Sequence, residues 1–116
     1  MAPIGQKPRM ERQRNMNDIS DPQMGELANT IDQILSDRGK NYGSFKSHAE
    51  ITQRLKLVMS QTPNWNRLTH DQKESLEMQV HKIGRILNGD PNYIDSWDDI
   101  AGYAKLVADI LRGVVR

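Results

Sequence analysis

Thr69-His-Asp-Gln-Lys-Glu-Ser-Leu-Glu-Met-Gln-Val-His-Lys-Ile-Gly-Arg-Ile-Leu-Asn-Gly89 is the stretch whose reading decides the fold class. It opens with Thr69-x-x-Gln72, a capping box in which each residue's side chain accepts the other's otherwise orphaned backbone N–H. Leu76, Val80, Ile83 and Leu87 then recur at helical spacing and draw one apolar stripe along the segment. Asn88-Gly89 supplies the stop. The spacing predicts a helix over 70–88.

The same grammar extends in both directions. Upstream, Gln61 to Leu68 holds Pro63, amide side chains and Trp65 and reads as a loop. Before it, Ser47-x-x-Glu50 reads as a second capping box ahead of Ile51, Leu55, Val58 and Met59, which predicts a helix over 46–60. Asp21-Pro22 is a start signal, and Leu27, Ile31, Ile34 and Leu35 carry a helix over 22–37 until Arg38-Gly39 ends it. Downstream, Asp95 reads as an N-cap with Asp98 as its acidic partner. The residues Trp97, Ile100, Ala104, Val107 and Leu111 form an a/d seam over 96–112. No stretch alternates with a period of two over useful length. The expected fold is all-α: a compact bundle of about four helices in a single helical domain, 21–116.

Residues 1–20 read as a flexible, disordered tail. Lys7, Arg9, Arg12 and Arg14 make it basic, and it lacks the apolar periodicity needed to offset the entropy of ordering. A basic arm touching nucleic acid or a partner subunit is the sharper alternative.

Composition narrows the classes of function. With 36% apolar and 5% aromatic residues in 116, the core is thin, which favours a homo-oligomer that shares apolar surface. A net charge of +1 is too balanced to point to nucleic acid. The absence of cysteine excludes disulfides and thiolate metal sites and suits the cytoplasm. Apolar runs are too short for a membrane span, and the first residues lack a signal peptide's apolar block.

Three clusters carry possible chemistry. Arg38-Gly-Lys-Asn-Tyr-Gly43 reads either as a polar interhelical turn or as a loop whose backbone amides, with Arg38 and Lys40, hold a phosphate. Lys82 and Arg85 are neighbours on one helix face and read either as a solvated basic patch suited to a helix C-terminus or as cations with their stems along the core edge and their heads at a cavity mouth. His81 beside them reads as a satisfied surface histidine. The third cluster is acidic: Asp95, Asp98 and Asp99, of which Asp99 is not needed for capping. One reading has Glu74 and Glu77 converge with it on magnesium. In an antiparallel pair, however, Lys82 and Arg85 lie nearer to Asp98 and Asp99. Gly84 and Gly102 inside helices, each costing about 1 kcal/mol against alanine, suggest close helix approach or room for a ligand.

The order Arg-Gly-Lys-Asn-Tyr-Gly (38–43), Lys-Ile-Gly-Arg-Ile (82–86) and Asp-Ser-Trp-Asp-Asp-Ile-Ala-Gly-Tyr-Ala (95–104) resembles a small helical family encoded mostly by bacteriophages and without an assigned function. The resemblance covers about residues 36–111. The layout is also distantly similar to the all-α nucleoside triphosphate pyrophosphohydrolases of the MazG and dUTPase type, which bind magnesium through Glu-x-x-Glu and Glu-x-x-Asp helices and work as dimers or tetramers. Here Ser96 falls where their second motif has its glutamate, and Lys82 and Arg85 face Asp99. That feature is similar to phage nucleotide kinases, which combine a Lys-x-x-Arg helix with an acidic one.

These resemblances imply a nucleotide-handling protein in the cytoplasm of an infected bacterial host. Arg38, Lys40, Tyr42, Gly43, Lys82, Arg85 and Tyr103 would bind the nucleotide, and Asp99 would be catalytic. Asp95, Asp98 and Asp99 would be the residues for any Mg2+. The reaction would be phosphoryl transfer or pyrophosphate hydrolysis. The alternatives are a non-enzymatic binder of nucleotide signals and a structural or regulatory oligomeric bundle.

Overall fold

A computed structural model of the chain describes residues 22–115. The expected basic tail and the Asp21 cap lie outside the described residues. Within them are four α-helices and no strand: α1 (Pro22–Tyr42), α2 (Phe45–Ser60), α3 (His70–Asn88) and α4 (Ile94–Leu111), with a 3-10 turn at Trp65–Arg67. By packing, the chain divides into two units between Ser36 and Asp37, inside α1.

In the second unit, α3 is the central element, packed against α2 on one side and α4 on the other. Its capping box forms as the sequence implies: the Gln72 amide donates to Thr69 Oγ1 at 3.4 Å, and the Thr69 amide donates to Gln72 Oε1 at 3.0 Å. The connection from α3 to α4 is short, so the two run antiparallel. Ser75 Oγ accordingly donates to the Tyr103 carbonyl at 2.8 Å, while Lys82 reaches back to Asp99.

Three helix ends differ from the sequence reading. The first helix does not stop at Gly39 but runs to Tyr42, and the chain turns at Gly43, where φ is +77°. Glycine takes that left-handed conformation without a Cβ penalty. Helix α2 is capped by Ser44 rather than Ser47; the Ser47 amide donates to Ser44 Oγ at 3.2 Å, so Ser47 is the receiver of the cap. Helix α4 begins at Ile94 behind Tyr93, which places Asp95 inside the first turn instead of at the cap. The turn before it, closed by the Asn92 amide donating to Asp90 Oδ1 at 2.9 Å, starts the helix early.

The interior is small and polar. Val80 is the one large apolar side chain that is buried among the described residues, with His48, Thr52, Ser75, Gly84, Ser96 and Asp109 around the helix contacts. The stripes that periodicity marks as core are half open: Leu76, Ile83 and Leu87 of α3, and Trp97 and Leu111 of α4, are exposed. Small residues explain the shift. Ser75, Gly84 and Ser96 let backbones approach, so the contact forms along the small-residue faces and turns the bulky stripe outward. Asp109 is buried because Lys105 bonds both its oxygens (3.1 and 3.0 Å) and Arg112 approaches at 3.6 Å.

Candidate functional site

At the end of α3, the last residues of α1 are fastened by backbone contacts. Asn88 Nδ2 donates to the Tyr42 and Ser44 carbonyls (2.9 and 2.8 Å), and the Asp90 amide donates to the Asn41 carbonyl at 2.7 Å. Gly43 and Gly89 fit here because a Cβ on either would strike the opposing backbone. The Gly43 amide is donated to the Gly39 carbonyl at 2.9 Å, so it closes the helix rather than cradling an anion.

This fastening brings the Tyr42 ring under the Arg85 guanidinium, 4.1 Å from its centroid. A planar cation over an aromatic face is attracted by the ring quadrupole. Tyr93 meets Tyr42 edge-on at 5.7 Å, and its hydroxyl hydrogen-bonds Asp95. That bond, together with the carboxylate's charge, raises the Tyr93 pKa above its ordinary 10.

One turn along α3, Lys82 Nζ lies 3.0 Å from Asp99 Oδ2. The lysine side chain is 11% exposed and the aspartate 47%. The ammonium is thus withdrawn from water and countered by a carboxylate that still faces solvent. Asp99 also borders an open groove of about 360 Å³ that it shares with Asp98, Gly102, Tyr103 and Leu106. A Cβ at Gly102 would meet nothing, so this glycine leaves open space, whereas Gly84 serves close approach.

On the other face of α3, His81 is half-buried and has a partner. Its Nδ1 lies 3.3 Å from His48 Nε2, with the rings nearly perpendicular. Burial lowers the pKa of both; His81 falls to about 4, with the charges of Arg85, Lys82 and Lys56 acting the same way.

The structure therefore gathers Tyr42, Lys82, Arg85, Asp95 and Asp99 at one end of the α3–α4 pair, with Tyr103 beside the groove. Arg38 and Lys40 stay on the solvent face of α1, where the neighbour of Lys40 is Asp37 at 3.9 Å. Glu74 and Glu77 lie toward the far end of α3, near the level of Tyr103. Asp99 is paired with Lys82, and no group of three His, Asp or Glu side chains that could hold a metal ion converges among the described residues. Sequence reasoning missed His48 and Tyr93. His48 extends the stripe of Ile51, Leu55 and Val58 by one turn, a signal that was there to read. Tyr93 sits in a turn and gains its place through contacts that its local sequence does not signal, chiefly the ring of Tyr42.

Residues 26–111 match the model of a family described as a domain of unknown function, DUF6378. The chain belongs to this family. The match spans α1 from Glu26 to the end of α4 and includes every residue of the cluster. No curated protein and no solved structure matches this DUF6378 chain. Nothing in the comparisons joins it to the pyrophosphohydrolases, to the nucleotide kinases or to a phage.

Proposed function

We propose that this DUF6378 chain binds the phosphate groups of a nucleotide at Lys82 and Arg85, as part of nucleotide handling inside an infected bacterium. The observation that carries this reading is the withdrawn Lys82 held by the half-exposed Asp99. An arriving phosphate offers the ammonium a stronger, multiply charged acceptor and releases the carboxylate into the groove. Arg85 is held at its post by Tyr42, which lowers the entropy of fixing a guanidinium on the ligand. Tyr42 and Tyr93 offer aromatic surface for a base, and Tyr103 borders the place where Asp99 would act.

Once released, Asp99 is positioned to accept a proton from an attacking hydroxyl or water, while Lys82 and Arg85 stabilise charge on the transferring phosphoryl group. Phosphoryl transfer or pyrophosphate hydrolysis would follow from that arrangement. A second reading is favoured by the tightness of the Lys82–Asp99 pair: a site whose carboxylate stays engaged binds nucleotide without turning it over, as a sponge for nucleotide signals would. The exposed stripes of α3 and α4 support a homo-oligomer in either case.

A nucleotide panel scored by thermal shift and product analysis, with and without magnesium and chelator, tests both. Binding with products supports the enzyme, and binding without products supports the sponge. Absence of any shift at millimolar nucleotide sinks both. Ligand binding that survives alanine at Lys82 and Arg85 together would move the protein to the structural or regulatory class.

A further inference from the structure

We propose that Asn88 is the positioning residue for Arg85: by clamping the backbone of Tyr42 and Ser44, it sets the ring on which the guanidinium rests. What Arg85 is held for depends on the nucleotide reading; the clamp does not. As a sequence, Asn88-Gly89 is a helix stop, yet the Asn88 side chain takes no part in stopping the helix. The closing bond comes from the Gly89 amide, which donates to the Arg85 carbonyl at 2.9 Å. Asn88 instead donates from one side-chain nitrogen to two carbonyls of another segment, Tyr42 at 2.9 Å and Ser44 at 2.8 Å. The fit is close on both sides: a Cβ on Gly43 would strike Asn88, and one on Gly89 would strike Asn41 and Tyr42.

Tyr42 is thereby held at two points by one helix. Arg85 and Asn88 are three residues apart and share a face of α3. That face takes the tyrosine's backbone at Asn88 and its ring at Arg85, with 4.1 Å between guanidinium and ring centroid. Tyr93 backs the ring edge-on at 5.7 Å. The Asp90 amide fastens the Asn41 carbonyl at 2.7 Å. Of the three fastened carbonyls, two therefore depend on the single Asn88 nitrogen. Without it the turn that carries the ring is released, and an arginine that has lost its platform must be ordered by the ligand on binding, at a cost in affinity.

Asn88→Asp keeps the side chain's size but turns its donor into an acceptor facing two carbonyls; Asn88→Ser is uncharged and too short to reach both. In the unsubstituted chain the ring current of Tyr42 should shift the Arg85 side-chain NMR signals upfield, and Tyr42→Leu should abolish the shift. Both Asn88 variants, checked for folding by circular dichroism, should lose most of it. Their dissociation constants for inorganic pyrophosphate should rise about three- to tenfold. In a Tyr42→Leu background the same substitutions should add less than about twofold, because their effect passes through the ring. A direct charge effect or a general loosening would persist in that background. Absence of the shift in the unsubstituted chain overturns the proposal, as does a shift that survives whichever Asn88 variant folds. Equal weakening of pyrophosphate binding in the two backgrounds overturns it as well. Loss of the shift in a chain that binds no pyrophosphate even when unsubstituted upholds the clamp and overturns the phosphate reading instead.

Discussion

His81 and Lys82 are consecutive residues of α3, both basic, both partly withdrawn from water, and they meet opposite fates. His81 turns to α2 and finds another imidazole; Lys82 turns to α4 and finds a carboxylate. Burial without a counter-charge favours the neutral form, so the histidines lose affinity for protons. Burial with a counter-charge keeps an ion pair. One helix thus presents a dry, uncharged contact to α2 and an ionic, solvent-facing one to α4. Only the ionic contact keeps a charged group at the surface that a ligand can compete for.

The sharpest way to break this comparison is at the neutral contact. A Cβ on Gly84 would lie 2.6 Å from Thr52 Cγ2 and 3.0 Å from His48 Cε1 and Nδ1. Gly84→Ala should therefore push α2 from α3 and cost about 2–3 kcal/mol in chemical denaturation. Gly102→Ala, on the open groove, should instead stabilise by about 0.5–1 kcal/mol, because alanine is the better helix former and meets nothing. Equal effects at the two glycines would mean the α2–α3 contact is not close-packed.

Acid is the next lever. The folded-state pKa of His81 is lowered from 6.5 to about 4, and that of His48 is lowered as well. Between these values the unfolded chain binds more protons, so the stability of this contact is complete above about pH 6.5 and is lost as pH falls toward 4. Denaturation midpoints across that window should fall, and His81→Leu should make the fall shallower. An unchanged slope in the variant would place the acid sensitivity elsewhere.

The ionic contact should respond asymmetrically. Asp99→Ala leaves an ammonium that is only 11% exposed without its partner, which should cost about 1–2 kcal/mol. Lys82→Met leaves a carboxylate that water already reaches, and its stability should stay within about 1 kcal/mol of the original. Similar losses in the two variants would indicate an ordinary surface pair. Lys82→Met should impair nucleotide binding if the proposed site is correct, whereas Asp99→Ala, which removes the carboxylate that competes with phosphate, should leave binding at least as tight and abolish any turnover. The smallest effect is expected at Asp95→Ala, about 0.5–1 kcal/mol from the helix N-terminus, with less damage to function than Asp99→Ala. The reverse order of functional damage would shift the assignment from Asp99 to Asp95.

Much of the fold was legible because its signals are local. The Thr69–Gln72 box, the Asn88-Gly89 stop and the loop around Pro63 depend on neighbours within a few residues, and each appears where it was read. The juxtaposition of Lys82 and Asp99 was legible too, since a short connection forces α3 and α4 antiparallel. The misplaced caps show the limit of local reading. Ser44 and Ser47 are equally good cap residues, and Tyr93 starts α4 only because the Asp90–Asn92 turn delivers the chain there. Which face of each helix turns inward was not legible. Periodicity identifies a stripe, but small residues such as Ser75, Gly84 and Ser96 decide how closely two helices approach.

By itself, the sequence determined an all-α chain, its four helices, the thin core implied by so few apolar residues, and an acidic helix start facing the basic end of the helix before it. The tertiary structure alone decided that Tyr42 holds Arg85, that Tyr93 engages Asp95, that His81 is paired with His48, and that Gly84 is filled while Gly102 is empty. The physical reason is range. Caps, turns and periodicity act over a few residues of chain, whereas burial, counter-charge and contact depend on which distant segments share the same few ångströms.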